Sequence, residues 1–272
     1  MNRATQKAWV SAAAATVLLA GVGAAEPTPL KNPVHHTHHG EPVLIKAGTV
    51  GTASVTCPKG TVPTGGGGMT FSNPAPDHLD KNWLIASYAE GSTWYTSLAN
   101  AEKVDVDLVA SVICNSSPHS QFFGEWVKMN KPSQVDCPTG MVASGGGFQS
   151  SGSGAASLTD TRPNGNGWMA QISSYGQVRS FVLCSTEPHQ VTEEKPWDNQ
   201  PEYWQLTAQC DTGQLTGGGA RLKHPVEAMI PDYSNDKGFS VYSKIFIDKE
   251  KKEREGGVLA AYAVCTVPFV GD

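Results

Sequence analysis

Four imidazoles fall within five residues at His35-His36-Thr37-His38-His39, a density of neutral nitrogen donors suited to zinc, copper or nickel. The run belongs to a Pro-rich, polar stretch, Glu26 to Gly40. Such a stretch reads as a flexible tail without the rigid framework that tight metal binding needs. Cys57, Cys114, Cys137, Cys184, Cys210 and Cys265 are the second chemical resource. In an exported chain they pair as three disulfides and leave no thiol nucleophile. Phe122, Phe123 and Trp126, and then Trp197, Tyr203 and Trp204, could stack on sugar rings or anchor a protein partner. Motifs of catalysis are missing: there is no Gly-x-Ser-x-Gly elbow, no His-Glu-x-x-His and no calcium loop around Asp105 and Asp107. The other histidines, His78, His119, His189 and His224, stand in turn-rich stretches without a nucleophile partner. The chain is therefore expected to be no enzyme and to carry no cofactor.

The compartment is read from the first residues. Arg3 and Lys7 precede an apolar run from Ala8 to Ala20, and Gly23-Ala24-Ala25 supplies the small residues of a cleavage site. This pattern predicts a signal peptide over residues 1–25 and a secreted, extracellular product. The apolar run is shorter than the roughly 20 residues a membrane-spanning helix needs, so no membrane span is expected. A formal net charge of -5 offers no broad attraction to phosphate backbones, which excludes a nucleic-acid partner. With 29 glycines, 18 prolines and 17% charged residues, the composition favours short strands and many turns.

A repeat orders the rest. Cys57-Pro58-Lys59-Gly60 leads to Gly65–Gly68, Cys137-Pro138-Thr139-Gly140 to Gly145–Gly147, and Cys210-Asp211-Thr212-Gly213 to Gly217–Gly219. Each copy continues with a proline (Pro74, Pro163, Pro231), an aromatic (Trp83, Trp168, Phe239) and a strand ending in Cys114, Cys184 or Cys265. Pro118-His119 and Pro188-His189 echo one another after the second cysteine of the first two copies. Period-2 alternation marks strands, with Val106, Leu108, Ala110 and Val112 on one face, and Phe239, Val241, Ile245 and Ile247 on another. The expected organisation is a tail over 26–40 and one β domain over 41–272, divided at about 41–124, 125–201 and 202–272.

Three equivalent copies leave two symmetric disulfide schemes, within each unit or between neighbours. Closure within the unit is favoured, because such a unit can be duplicated without waiting for a ring to form. The fold expected is all-β, three disulfide-closed repeats with pseudo-threefold symmetry in a β-prism-like arrangement, with a three-bladed propeller-like closure as the alternative. Glycine runs weaken strands, so they are read as surfaces on which Trp83, Trp168 and Phe239 lie.

The Cys-Pro-x-Gly, Gly-Gly-Gly, Trp and Cys order resembles the Cys/Gly-rich repeats of secreted actinobacterial proteins over nearly all of residues 41 to 268. The third copy departs at Asp211 and Phe239. More faintly, an exported β protein with an extended tail is similar to the adaptor subunits of Streptomyces umbrella toxin particles. That resemblance implies a docking element from Glu26 to about Val50, including Pro42, Val43, Leu44 and Ile45, that adds a strand to a partner's sheet. The function expected is a secreted protein-binding adaptor with an extracellular protein partner; the alternative is a lectin-like binder of surface glycan or cell wall. The mature chain should begin at Glu26, and N-terminal sequencing of the exported protein checks this: a start at Met1 overturns the cleavage reading.

Overall fold

The computed structural model describes residues 34–71, 82–151, 157–195, 205–223, 226–231, 237–243, 245–248 and 253–268, and in these it is all β. The first unit holds β1 (His36–His39), β2 (Val43–Ile45), β3 (Val50–Thr56), β4 (Val62–Phe71), β5 (Asn82–Glu90), β6 (Thr93–Asn100) and β7 (Val106–Asn115). In the second are β8 (Ser120–Phe123), β9 (Val127–Lys128), β10 (Ser133–Asp136), β11 (Val142–Ser151), β12 (Leu158–Asn164), β13 (Gly167–Ile172) and β14 (Gln177–Ser185). The third comprises β15 (His189–Glu194), β16 (Gln205–Gln209), β17 (Leu215–Leu222), β18 (Val226–Pro231), β19 (Gly238–Ser243), β20 (Ile245–Asp248), β21 (Glu253–Gly256) and β22 (Val258–Thr266). Strand β8, like β15 of the third, falls before the expected boundary and is counted with the later unit because it pairs with that unit's closing strand.

Pairing divides every unit between two sheets. The first sheet runs β1-β7-β4-β18-β19-β16, the second β3-β6-β5-β11-β14-β8 and the third β10-β13-β12-β17-β22-β15. A glycine strand (β4, β11 or β17), its closing strand (β7, β14 or β22) and the short strands paired outside the latter thus sit in one sheet, while three others of that unit (β3, β5 and β6; β10, β12 and β13; or β16, β18 and β19) complete another. The sheets are open and none closes as a barrel. Each of the three large sheets draws its strands from two units. Junctions recur at one register: Met229 faces Gly68, Ser87 faces Phe148 and Thr161 faces Ala220. The pairs Cys57–Cys114, Cys137–Cys184 and Cys210–Cys265 are bonded, which is the within-unit scheme.

The glycine runs have a steric cause. A Cβ on Gly65 would overlap the Thr216 carbonyl and stand 2.5 Å from Gly217 Cα, one on Gly145 would overlap the Thr64 carbonyl, and one on Gly217 would stand 2.9 Å from Gly145 Cα. The three glycine strands therefore meet backbone to backbone. Just before each contact the ladder slips, between Pro63 and Gly65, Ala143 and Gly145, and Leu215 and Gly217. The residues skipped are Thr64, Ser144 and Thr216, all buried. Thr64 Oγ1 donates to the Thr216 carbonyl at 3.0 Å and Thr216 Oγ1 to the Ser144 carbonyl at 2.6 Å. A bulge leaves a carbonyl outside the ladder, and here hydroxyls of neighbouring strands satisfy those of Ser144 and Thr216.

The second glycine of each run carries a ring. A Cβ on Gly66, Gly146 or Gly218 would collide with Trp94, Trp168 or Phe239, and all three rings are fully buried. Trp168 and Phe239 were expected there; Trp83 was not the third. Trp94 takes the place because the ring must enter on the strand after the hairpin turn, and Trp83 lies on β5, one strand too early. Burying about 150 Å² of ring at about 25 cal/mol/Å² contributes roughly 4 kcal/mol. That exceeds the roughly 1.5 to 3 kcal/mol lost by three strand glycines. Trp94 Nε1 donates to Ser87 Oγ at 3.1 Å and Trp168 Nε1 to Thr161 Oγ1 at 2.9 Å. Met229 occupies the same register in the third unit, where Phe239 has no N–H to satisfy.

Two expectations are corrected. The alternation through Ile245 and Ile247 does not form one strand with Phe239 and Val241: β19 ends at Ser243, and β20 leaves to pair with β21 as a separate hairpin. The flexible tail does not extend to Gly40. His36–His39 pair in register with Ser111–Cys114, and Gly40 N donates to the Ala110 carbonyl at 2.8 Å, because the outer side of β7 carries peptide groups that need partners.

Gly218→Ala should lower stability by about 2 kcal/mol through overpacking, and Phe239→Leu in the same chain should recover part of that loss. Gly145→Ala meets backbone alone and no side-chain change should rescue it. Denaturant unfolding of the single and double variants reads the coupling; equal, additive losses would remove the ring-on-glycine explanation.

Candidate functional site

The histidine cluster of this fold is not the one the run of histidines suggests. On β1 the side chains alternate, so His36 and His38 take one face and Thr37 and His39 the other. His39 Nδ1 lies 2.8 Å from Ser111 Oγ, and His36 is exposed. The expected metal set of His35, His36, His38 and His39 is thus dispersed by the strand that holds it, and among the described residues no three histidine, cysteine or carboxylate side chains stand placed to hold an ion.

Register instead groups His35 with two distant histidines. His36, Ser120 and Gln190 face Cys114, Cys184 and Cys265. His35, His119 and His189 therefore each precede the residue opposite the second cysteine of a unit. The His119 and His189 rings lie edge to face with centroids 6.4 Å apart. His119 Nδ1 donates to the Ser117 carbonyl at 2.8 Å and His189 Nδ1 to the Glu187 carbonyl at 2.7 Å. A carbonyl only accepts, so in each neutral ring the proton is on Nδ1 and Nε2 keeps a bare lone pair. Both Nε2 atoms are buried without a hydrogen-bond partner, a situation that costs about 1 to 3 kcal/mol per group.

His35 is buried. Its backbone N donates to Gln214 Oε1 at 2.9 Å, and Asn115 Nδ2 lies 3.0 Å from its Nε2. Ser117 Oγ donates to Glu187 Oε1 at 2.6 Å, and the Asn115 side chain accepts from Ser117 N. Burial lowers the pKa of all three rings, to about 4 for His35 and His189. The Gln214 contact opposes this at His35, the backbone carbonyls at the other two, and the Glu187 carboxylate at every ring. The Pro-His echo was the signal in the sequence for two of these residues; His35 was concealed inside the histidine run.

A second group of side chains lies on the sheet of β3, β6, β5, β11, β14 and β8. The Arg179 guanidinium sits 4.1 Å from the Phe123 ring centre and 4.9 Å from that of Trp126, and its Nε donates to Gln149 Oε1 at 2.6 Å. Phe123 meets Phe181 at 5.0 Å and Tyr88 at 6.1 Å, and Tyr88 stacks on Tyr95 at 5.6 Å. Phe123 and Trp126 are exposed at 36% and 41%, so the rings form a ridge open to solvent. Phe122 turns inward and packs beside Cys137, Trp168 and Cys184. Trp197, Tyr203 and Trp204 lie outside the described residues, as do His78 and His224.

The docking segment is committed elsewhere. Val43, Leu44 and Ile45 pair with Leu108, Asp107 and Val106 of the chain's own β7, and Ile45 is buried. Pro42 is exposed. Residues 36–45 thus complete the chain's own sheet rather than standing free for a partner's, because the edge of β7 is unpaired without them. Among the described residues no helix is long and apolar enough to cross a membrane.

The folded histidines titrate below the unfolded value of 6.5. The unfolded chain consequently binds more protons between about 6.5 and about 4, and stability intact above 6.5 is lost as pH falls through that window. Each shift of His35 and His189 corresponds to about 3 kcal/mol when fully developed. Denaturant midpoints should fall between neutral and mildly acid pH, and His189→Gln should flatten the dependence; an unchanged slope would refute the assignment. Comparison with protein-family models and with curated proteins found no match.

Proposed function

We propose that this chain is a secreted, non-catalytic protein-binding module of the adaptor kind, and that its partner docks on the Tyr95–Tyr88–Phe123–Arg179–Trp126 ridge. The observation that carries this reading is Arg179 held between two exposed rings. Aromatic residues and arginine dominate protein interfaces because they give large contact areas with few freely rotating bonds. An arginine already fixed by Phe123, Trp126 and Gln149 loses little further freedom on binding. The three disulfides suit an oxidising, extracellular setting. With residues 36–45 paired in cis, the ridge replaces the N-terminal segment as the docking element.

A lectin-like role in glycan or cell-wall binding is the second reading. It is favoured by the stacked Tyr88 and Tyr95, since flat rings support sugars. It ranks lower because Arg179 already covers one face each of Phe123 and Trp126.

Trp126→Ala and Arg179→Ala should each weaken partner capture from the producing culture's supernatant by tenfold or more, about 1.4 kcal/mol. Wild-type and variant chains immobilised side by side provide the measurement. Equal recovery on all three removes the ridge from the interface. Cosedimentation with cell-wall polysaccharide that is lost in the same variants would establish the glycan reading instead.

A further inference from the structure

Arg179 has hydrogen-bonding capacity that the ridge itself leaves open. A guanidinium carries five N–H groups and no acceptor. The Nε–H goes to Gln149 Oε1 at 2.6 Å, and among the described residues none of the others meets an acceptor or a carboxylate. Arg162 gives the contrast, since its Nε lies 3.0 Å from Asp160 Oδ1 and its charge is answered within the fold. The Arg179 group is nevertheless held in place, by Gln149 on one edge and by the rings of Phe123 and Trp126, at 4.1 and 4.9 Å. The residue is half-buried, and in such a partly desolvated setting the open N–H groups bond an anion more strongly than they would in water. Lys128 adds a second positive charge. It faces Gln177, and Gln177 and Arg179, two positions apart on β14, present to the same side of the sheet. The carboxylates of this region, Glu90 at the end of β5 and Glu125 between β8 and β9, are both exposed and pair with neither cation.

On the reading that the ridge is the docking surface, we infer that its partner is an acidic protein segment, one of whose carboxylates seats on the open N–H pair of Arg179 while a neighbouring apolar side chain rests beside Trp126. The planar fork of a guanidinium matches the two oxygens of a carboxylate. Phosphate and sulfate esters carry more charge and draw on clusters of arginine, whereas here one fixed guanidinium stands among exposed rings. Those rings supply apolar contact that a peptide can use and a bare ion cannot.

Selection of a phage-displayed library of random peptides on the mature, oxidised chain tests this. Peptides retained by the wild-type chain and not by Trp126→Ala define the ridge binders, and they should be enriched in aspartate and glutamate. In titration calorimetry, replacing the acidic residues of such a peptide by asparagine and glutamine should weaken binding to the wild-type chain by about tenfold or more, a comparison that needs no variant to fold. Arg179→Lys should weaken the acidic peptide by about threefold or more, because an ammonium cannot make the paired contact. The same variant should leave the amide peptide unaffected, so that the two changes are not additive. Ridge binders without acidic residues, or an amide peptide that binds as tightly as its acidic parent, overturn the carboxylate inference and leave the ridge as the docking surface. A library that yields no Trp126-dependent peptide overturns both. Inorganic phosphate or heparin bound through Arg179 more tightly than the acidic peptide overturns the choice of a peptide partner.

Discussion

Three peptide backbones in van der Waals contact are the constraint on which this structure rests. Gly65, Gly145 and Gly217 come so close that a single Cβ at any of them would meet the peptide of another unit. Protein interiors do not absorb such an overlap, because they are already close-packed. The bulges at Thr64, Ser144 and Thr216 follow, since the strands must bend toward one another, and their hydroxyls supply hydrogen bonds that the bent ladder lacks. The large rings follow too: with no side chains between the strands, Trp94, Trp168 and Phe239 occupy the space above the next glycine.

Covalent and non-covalent connections are divided between different partners. Every disulfide lies within a unit, joining residues 57, 47 and 55 positions apart. In the chain-entropy account, loops of that length contribute roughly 4 kcal/mol each. Each of the three large sheets, in contrast, joins two units. A unit taken alone would expose the edges of both its half-sheets, which unpaired strands tolerate poorly. The sulfur bridges therefore hold each copy ready, and the sheets make the three copies one cooperative body.

Chemical individuality is found where the copies diverge. The ridge built on Arg179 lies on one sheet; the sheet built from β12 and β22 has instead Arg162 over Tyr262, at 5.8 Å, with Arg162 Nε 3.0 Å from Asp160 Oδ1. Burial pushes the Asp160 carboxyl up against the opposing pull of Arg162, and it drives Tyr262 to about 12 with help from Glu193. The same framework thus presents exposed rings on one side and a half-buried ionic group on another.

Local signals in the chain were enough to indicate the all-β class and three similar segments, and they reduced the disulfide partners to two symmetric schemes, between which the structure decides. Alternation and turn residues depend on neighbours a few positions away, and equivalent copies must bond equivalently. The ring at Gly66 was legible only in part: proline followed by an aromatic pointed to Trp83, whereas the Gly91-Ser92-Thr93-Trp94 turn matches Gly165-Asn166-Gly167-Trp168 and marks the correct residue. Which units share a sheet, and which histidines meet, was decided by tertiary structure alone. Sheet partners are chosen by contacts between residues far apart in the chain. His35 joins His119 and His189 because β1, β8 and β15 take the same register on three closing strands, a coincidence in space that no local pattern records.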